Sequence, residues 1–149
     1  MTSFNVIYDS FKRKIEDPDY LNFTPEQREE YLFGFLQDAI GMIQAENIQM
    51  THNLSDIDLE AKSFNETLDY SEIMVLSLYM VIAWYEPRIN SLETTILMWG
   101  SKDERWADQK KFLEGLVTKQ NLYRERARKY FLQNKVKNNT YLTGDDNAE

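Results

Sequence analysis

The chain of 149 residues has no cysteine, a single histidine, five glycines and three prolines. Without thiols there is no disulfide scaffold, zinc finger, iron–sulfur cluster or thiol nucleophile, and the redox compartment stays open. One histidine, His52, reads as a loop residue and excludes a His-based triad or a two-histidine metal site within one chain. Few glycines leave few tight turns, and no alternating strand pattern, hairpin dipeptide or internal repeat is present. Long apolar runs are also missing: the longest, residues 73–85, is interrupted by Ser77 and falls short of the roughly 18 residues a bilayer span needs. The N-terminus lacks the basic start and apolar block of a signal peptide, so the chain reads as a mature cytosolic protein with no membrane partner. No glycine-rich phosphate loop or Gly-x-Ser-x-Gly elbow occurs.

What is present points to helices. Leu, Ile, Val and Phe number 38, enough for one domain with a genuine core. Apolar residues recur at three and four. Phe4, Ile7, Tyr8, Phe11 and Ile15 predict a first helix over 4–15, capped by Ser3 and stopped at Asp17-Pro18. Thr24-Pro25-Glu26-Gln27 is a capping box with proline at the first helical position, opening a second helix to about Glu46. Asp69 with Glu72 starts a third helix that is apolar nearly all round and belongs at the centre of a bundle. Pro87 predicts a break near Glu86, and Gly100 an end. Ser101 with Glu104 opens a long last helix to about Lys137. The expected fold is all-α: an antiparallel bundle of five helical segments over 1–137, then a polar C-terminal tail over 138–149. Between helices two and three, residues 47–68 read as a long loop with scattered apolar anchors, a kind of segment often ordered by a partner.

Charge is unevenly spread. The chain carries net −8, with residues 1–100 at net −11 and 101–149 at net +3. At about 100° per residue, Arg124, Arg128 and Lys135 fall in one row and Lys119, Arg126 and Lys137 in another, flanking an apolar seam of Phe112, Leu116, Tyr123, Ala127 and Tyr130. A strip rimmed by cations suits an interface helix against an acidic partner. It also suits a bundle helix whose last turns attract cations through the macrodipole. Tyrosines beside arginines suit nucleic acid too, although net −8 opposes that.

The remaining clusters carry little chemistry. Asp56, Asp58 and Glu60 alternate like the start of a calcium loop, but the sixth position is not glycine and Thr67 holds the twelfth. Glu26, Glu29 and Glu30 are acids of the sort a helix N-terminus attracts. No catalytic residue, cofactor or metal is expected.

The segment 63–84 places Phe64, Leu68, Glu72-Ile73, Leu76, Met80 and Trp84 at a four-residue rhythm, after an acidic loop and before a long basic helix ending near a tyrosine. In this it resembles the small helical neck proteins of tailed bacteriophages, the head–tail connectors or adaptors, with similar order and spacing over roughly 4–135. The resemblance implies a non-enzymatic virion protein, assembled from the host cytoplasm into a ring, dodecameric by analogy. Such a ring joins the portal protein to the next tail or neck component and extends the channel through which DNA passes without specific binding. It implies a portal or partner interface at Lys119, Tyr123, Arg124, Arg126, Arg128, Tyr130, Lys135, Lys137 and Tyr141. It also implies an inter-subunit loop using Leu54, Ile57, Leu59 and Phe64. The alternative is a free-standing helical module, such as a small phage regulator that binds a host protein through the same basic helix.

Overall fold

A computed structural model describes residues 1–99 and 104–137, which form an all-α bundle. Helix α1 spans Phe4–Lys12 and buries Phe4, Ile7, Tyr8 and Phe11 on one stripe. Its N-cap is Ser3, whose hydroxyl accepts from the Asn5 amide at 3.3 Å. It is shorter than the expected 4–15, because the Lys14 amide turns back to the Phe11 carbonyl at 2.9 Å and tightens the last turn. A 3-10 helix over Pro18–Asn22 follows, capped by the Asp17 carboxylate.

Helix α2, Pro25–Ala45, starts at the expected capping box: the Thr24 amide donates to Gln27 Oε1 at 2.9 Å and the Gln27 amide to Thr24 Oγ1 at 3.3 Å. Helix α3, Tyr70–Trp99, begins with the reciprocal Asp69–Glu72 pair. Helix α4 covers Glu104–Lys137. Four α-helices are therefore seen among the described residues, where five segments were expected, and the break near Glu86 does not occur. Pro87 withholds a hydrogen from the Ala83 carbonyl. Side chains serve the carbonyls on either side: Gln120 Nε2 of α4 donates to Ile82 O at 3.2 Å, and Arg88 Nη1 to Trp84 O at 2.8 Å. Neither reaches the Ala83 oxygen itself, and the helix nevertheless continues through the proline. The expected end at Gly100, the Ser101 cap and the tail 138–149 lie outside the described residues.

The segment 47–68 is not a simple loop. Three two-residue strands, β1 (Thr2–Ser3), β2 (Ile57–Asp58) and β3 (Ser63–Phe64), pair antiparallel in the order β1-β3-β2. Thr2 and Ile57 both face Phe64 in register. Such strands are too short to show an alternating pattern. They persist because Leu54, Phe64 and Leu68 are buried and the Leu68 amide donates to Thr2 Oγ1 at 2.9 Å. The core forms where α1, α2 and this sheet meet the middle of α3; every residue from Val75 to Tyr85 is buried.

Candidate docking surface

At 1.5 Å per residue, α3 and α4 are about 45 and 51 Å long, whereas α1 reaches only about 14 Å. Beyond the end of α1 nothing in the described chain covers the crevice between α3 and α4 on that side. The result is an open groove of about 1080 Å³. Its floor is apolar and aromatic, from Trp84, Tyr85, Leu116, Leu122 and Tyr123. Its rim carries the cations Arg13, Lys14, Arg88, Lys119 and Arg126 against two acids, Glu16 and Asp19.

Each side of this groove has a local cause. Tyr123 projects from α4, donates through its hydroxyl to the Lys14 carbonyl at 3.3 Å and lies 6.0 Å from the Tyr85 ring. Arg126 sits over the Tyr123 ring at 5.4 Å, a cation–π contact that leaves its charge facing solvent. Lys14 Nζ donates to the Ser10 carbonyl and hydroxyl, both at 2.8 Å. Partial burial, with Arg13 beside it, pulls the Lys14 ammonium below its ordinary range. Arg88 stacks on Trp84 at 3.7 Å and pairs with Asp17 Oδ2 at 3.0 Å. That same oxygen accepts from Tyr31 Oη at 2.7 Å and Trp84 Nε1 at 2.8 Å, so one carboxylate ties the 3-10 segment to α2 and α3. Burial works to raise the Asp17 carboxyl, but the hydrogen bonds from Trp84 and Tyr31, the Arg88 charge and the Asp19 amide outweigh it, and the net shift is downward.

No family model, curated protein or solved structure matches the chain. The site therefore stands on its own geometry.

The predicted interface residues separate into three groups. Lys119, Arg126 and Arg128 are exposed. Tyr123, Arg124 and Tyr130 are turned inward: Tyr123 and Tyr130 pack against the core, and Arg124 Nη1 pairs with Glu46 Oε1 at 2.5 Å. Glu46 also accepts from the Tyr79 hydroxyl, so Arg124 holds α4 to the end of α2 and is not a free docking cation. Lys135 and Lys137 lie on α4, and nothing further is described of their side chains; Tyr141 lies outside the described residues. The seam is likewise split, with Ala127 fully buried and Phe112 61% exposed.

Of the predicted inter-subunit loop residues, Leu54 and Phe64 are 5% and 0% exposed inside their own chain and Ile57 is half-buried, so these three pack within the subunit. Leu59 alone of the four is exposed, at 63%.

Sequence reasoning missed two polar nodes. One is the Asp17 cluster. The other joins His52, read as a plain loop residue, to the fully buried Glu72: the His52 amide donates to Oε1 at 2.8 Å and its Nδ1 lies 2.7 Å from Oε2. The helix-start signal at Asp69-Glu72 marked Glu72 as a cap, but nothing in the sequence linked it to a histidine 20 positions earlier. The acids of the calcium-like stretch are turn formers: Asp58 Oδ1 accepts from the Glu60 and Ala61 amides, and Asp56 Oδ1 from Asn65. Among the described residues no group of three or more acids or histidines is placed to hold a metal ion.

Proposed function

We propose that this chain is a non-enzymatic structural subunit of a tailed-phage neck, assembling as a ring that joins the portal protein to the next tail or neck component. The observation that carries the reading is the character of α4. Among the described side chains of this helix of about 51 Å, Ala127 alone is fully buried, while Leu113, Leu116, Val117, Tyr123 and Tyr130 are half-covered against the core. Along it Lys119, Arg126, Arg128 and Lys129, with Phe112, Leu122 and Leu132, face solvent. Exposed apolar residues beside cations are the composition of a protein-binding face. The resemblance of residues 63–84 to neck adaptors supplies the partner: a portal ring with an acidic docking surface. The acidic remainder of the molecule suits a channel wall, since carboxylates repel DNA phosphates and let the genome slide.

The test is stoichiometric. Purified chain mixed with an assembled portal ring is expected to give particles bearing many copies per portal, counted by mass photometry and seen as a collar by electron microscopy. Charge reversal by Arg126→Glu with Arg128→Glu is expected to abolish loading while leaving the helical circular-dichroism spectrum intact. Persistent one-to-one complexes, or no complex, would favour a free-standing interaction module that binds a single host protein.

A further inference from the structure

The groove has a complement on the same chain. The turn between β2 and β3 is held rigidly: Asp58 Oδ1 accepts from the amides of Glu60 and Ala61 at 2.9 Å each, Lys62 adopts a left-handed φ of 52°, and the Lys62 carbonyl accepts from the Phe4 amide at 2.9 Å. This frame holds Leu59 out at 63% exposure, followed in the chain by the exposed Glu60. Beside it an apolar recess of about 520 Å³ is lined by Leu59 and Phe33, by the carboxylates Glu26, Glu29 and Glu30 of α2, and by Lys62, which pairs with Glu29 at 3.3 Å. An apolar tip among acids that outnumber one cation is the converse of an aromatic floor among cations that outnumber two acids.

The two surfaces cannot meet within one molecule. Phe4, at the start of α1, lines the recess, whereas Arg13 and Lys14, just past the end of α1, line the groove. They lie at opposite ends of the same short helix. A contact between them joins different patches on successive copies, and repetition of such a head-to-tail contact closes a ring or grows a filament. We propose that the β2–β3 turn of one copy, with Leu59 as its tip, seats in the basic groove between α3 and α4 of the next copy. This rests on the reading of the chain as a ring subunit and adds which faces meet. Leu59 lies over the aromatic floor, Glu60 and the α2 carboxylates face Arg13, Lys119 and Arg126, and the rigid turn keeps the ordering cost of association small.

The absence of native cysteine gives a clean experiment. Ala61 and Ser91 are exposed, the first on the turn and the second on the groove wall. Full-length Ala61→Cys and Ser91→Cys chains are mixed, loaded on portal rings and treated with a short bismaleimide. The expected product is a mixed cross-linked dimer, well above that from Ala61→Cys paired with Asp38→Cys on the exposed face of α2. Leu59→Ser in the first chain, or Arg13→Glu in the second, should lower its yield about tenfold. If many copies load on each portal and no mixed dimer exceeds the control, the contact is wrong and the groove holds something else, such as an acidic segment of the portal. If no copies load, the neck reading falls and this contact falls with it.

Discussion

Helices α3 and α4 run side by side, yet they are held by different means. From Val75 to Tyr85 every side chain of α3 is buried, against α1, α2 and α4 in turn. Among the described side chains of α4 only Ala127 is sealed, while Leu113, Leu116, Val117, Tyr123 and Tyr130 are half-covered. What fixes α4 in addition is a set of polar links at separate points: Gln120 to the Ile82 carbonyl, Tyr123 to the Lys14 carbonyl, Arg124 to Glu46. The first helix is a stability element whose substitution is felt by the whole fold. The second is held along one side and leaves its outer face exposed.

Matched substitutions on the two regions put this contrast to the sharpest test. Phe11→Ala empties a fully buried site between α1 and α2 and is expected to cost about 3–5 kcal/mol in chemical denaturation. Phe112→Ala removes the same side chain from a position 61% exposed and is expected to change stability by less than about 0.5 kcal/mol. Comparable losses at both sites would mean that α4 is core and the contrast is false.

The Asp17 node provides the next largest effect, because it lies at the border of the two regions and lines up the end of α1 with the groove. Asp17→Asn breaks the pair with Arg88 and weakens the bonds from Tyr31 and Trp84, at an expected cost of about 2–3 kcal/mol. The sign of the pH dependence follows from the downward shift of this carboxyl. Its contribution is present above the unfolded value near 3.9 and is lost as pH falls through the lower native value. Urea midpoints of the native chain should therefore decline below about pH 4, and those of Asp17→Asn should decline less steeply over that window.

These nodes also mark the limit of what periodicity conveys. The Thr24 and Asp69 capping pairs, the buried faces of α1 and α2 and the all-round apolar stretch of α3 were legible, because local spacing alone determines them. Pro87 misled, since α3 continues through it while packed against α4, and tertiary packing overrides a local breaker signal. The three short strands were invisible because two residues cannot display an alternation, and their pairing joins the N-terminus to position 64. For the candidate site, the cation rows on α4 were legible, but the groove was not: it exists because α1 stops short, and its other wall comes from residues 13–19 and 84–95. That Arg124 is consumed inside the molecule likewise depends on where Glu46 lands.

The smallest effect concerns His52, which anchors the 47–56 stretch to the start of α3. Its hydrogen bond with the buried Glu72 raises its affinity for a proton, partial desolvation opposes this, and the charges of Glu72, Glu66 and Asp69 add to the rise. A raised native value means the stabilisation is complete below the unfolded value near 6.5 and disappears as pH climbs through the native one. His52→Ala should thus cost up to about 1 kcal/mol at pH 5.5 and clearly less at pH 8.5. Amide hydrogen exchange gives the local readout: in the native chain, opening of residues 52–56 should become more frequent between pH 6.5 and 8.5, while amides of α4 keep their pH-corrected protection. A loss that instead grew toward alkaline pH would mean that the neutral imidazole, not its cation, makes the bond to Glu72.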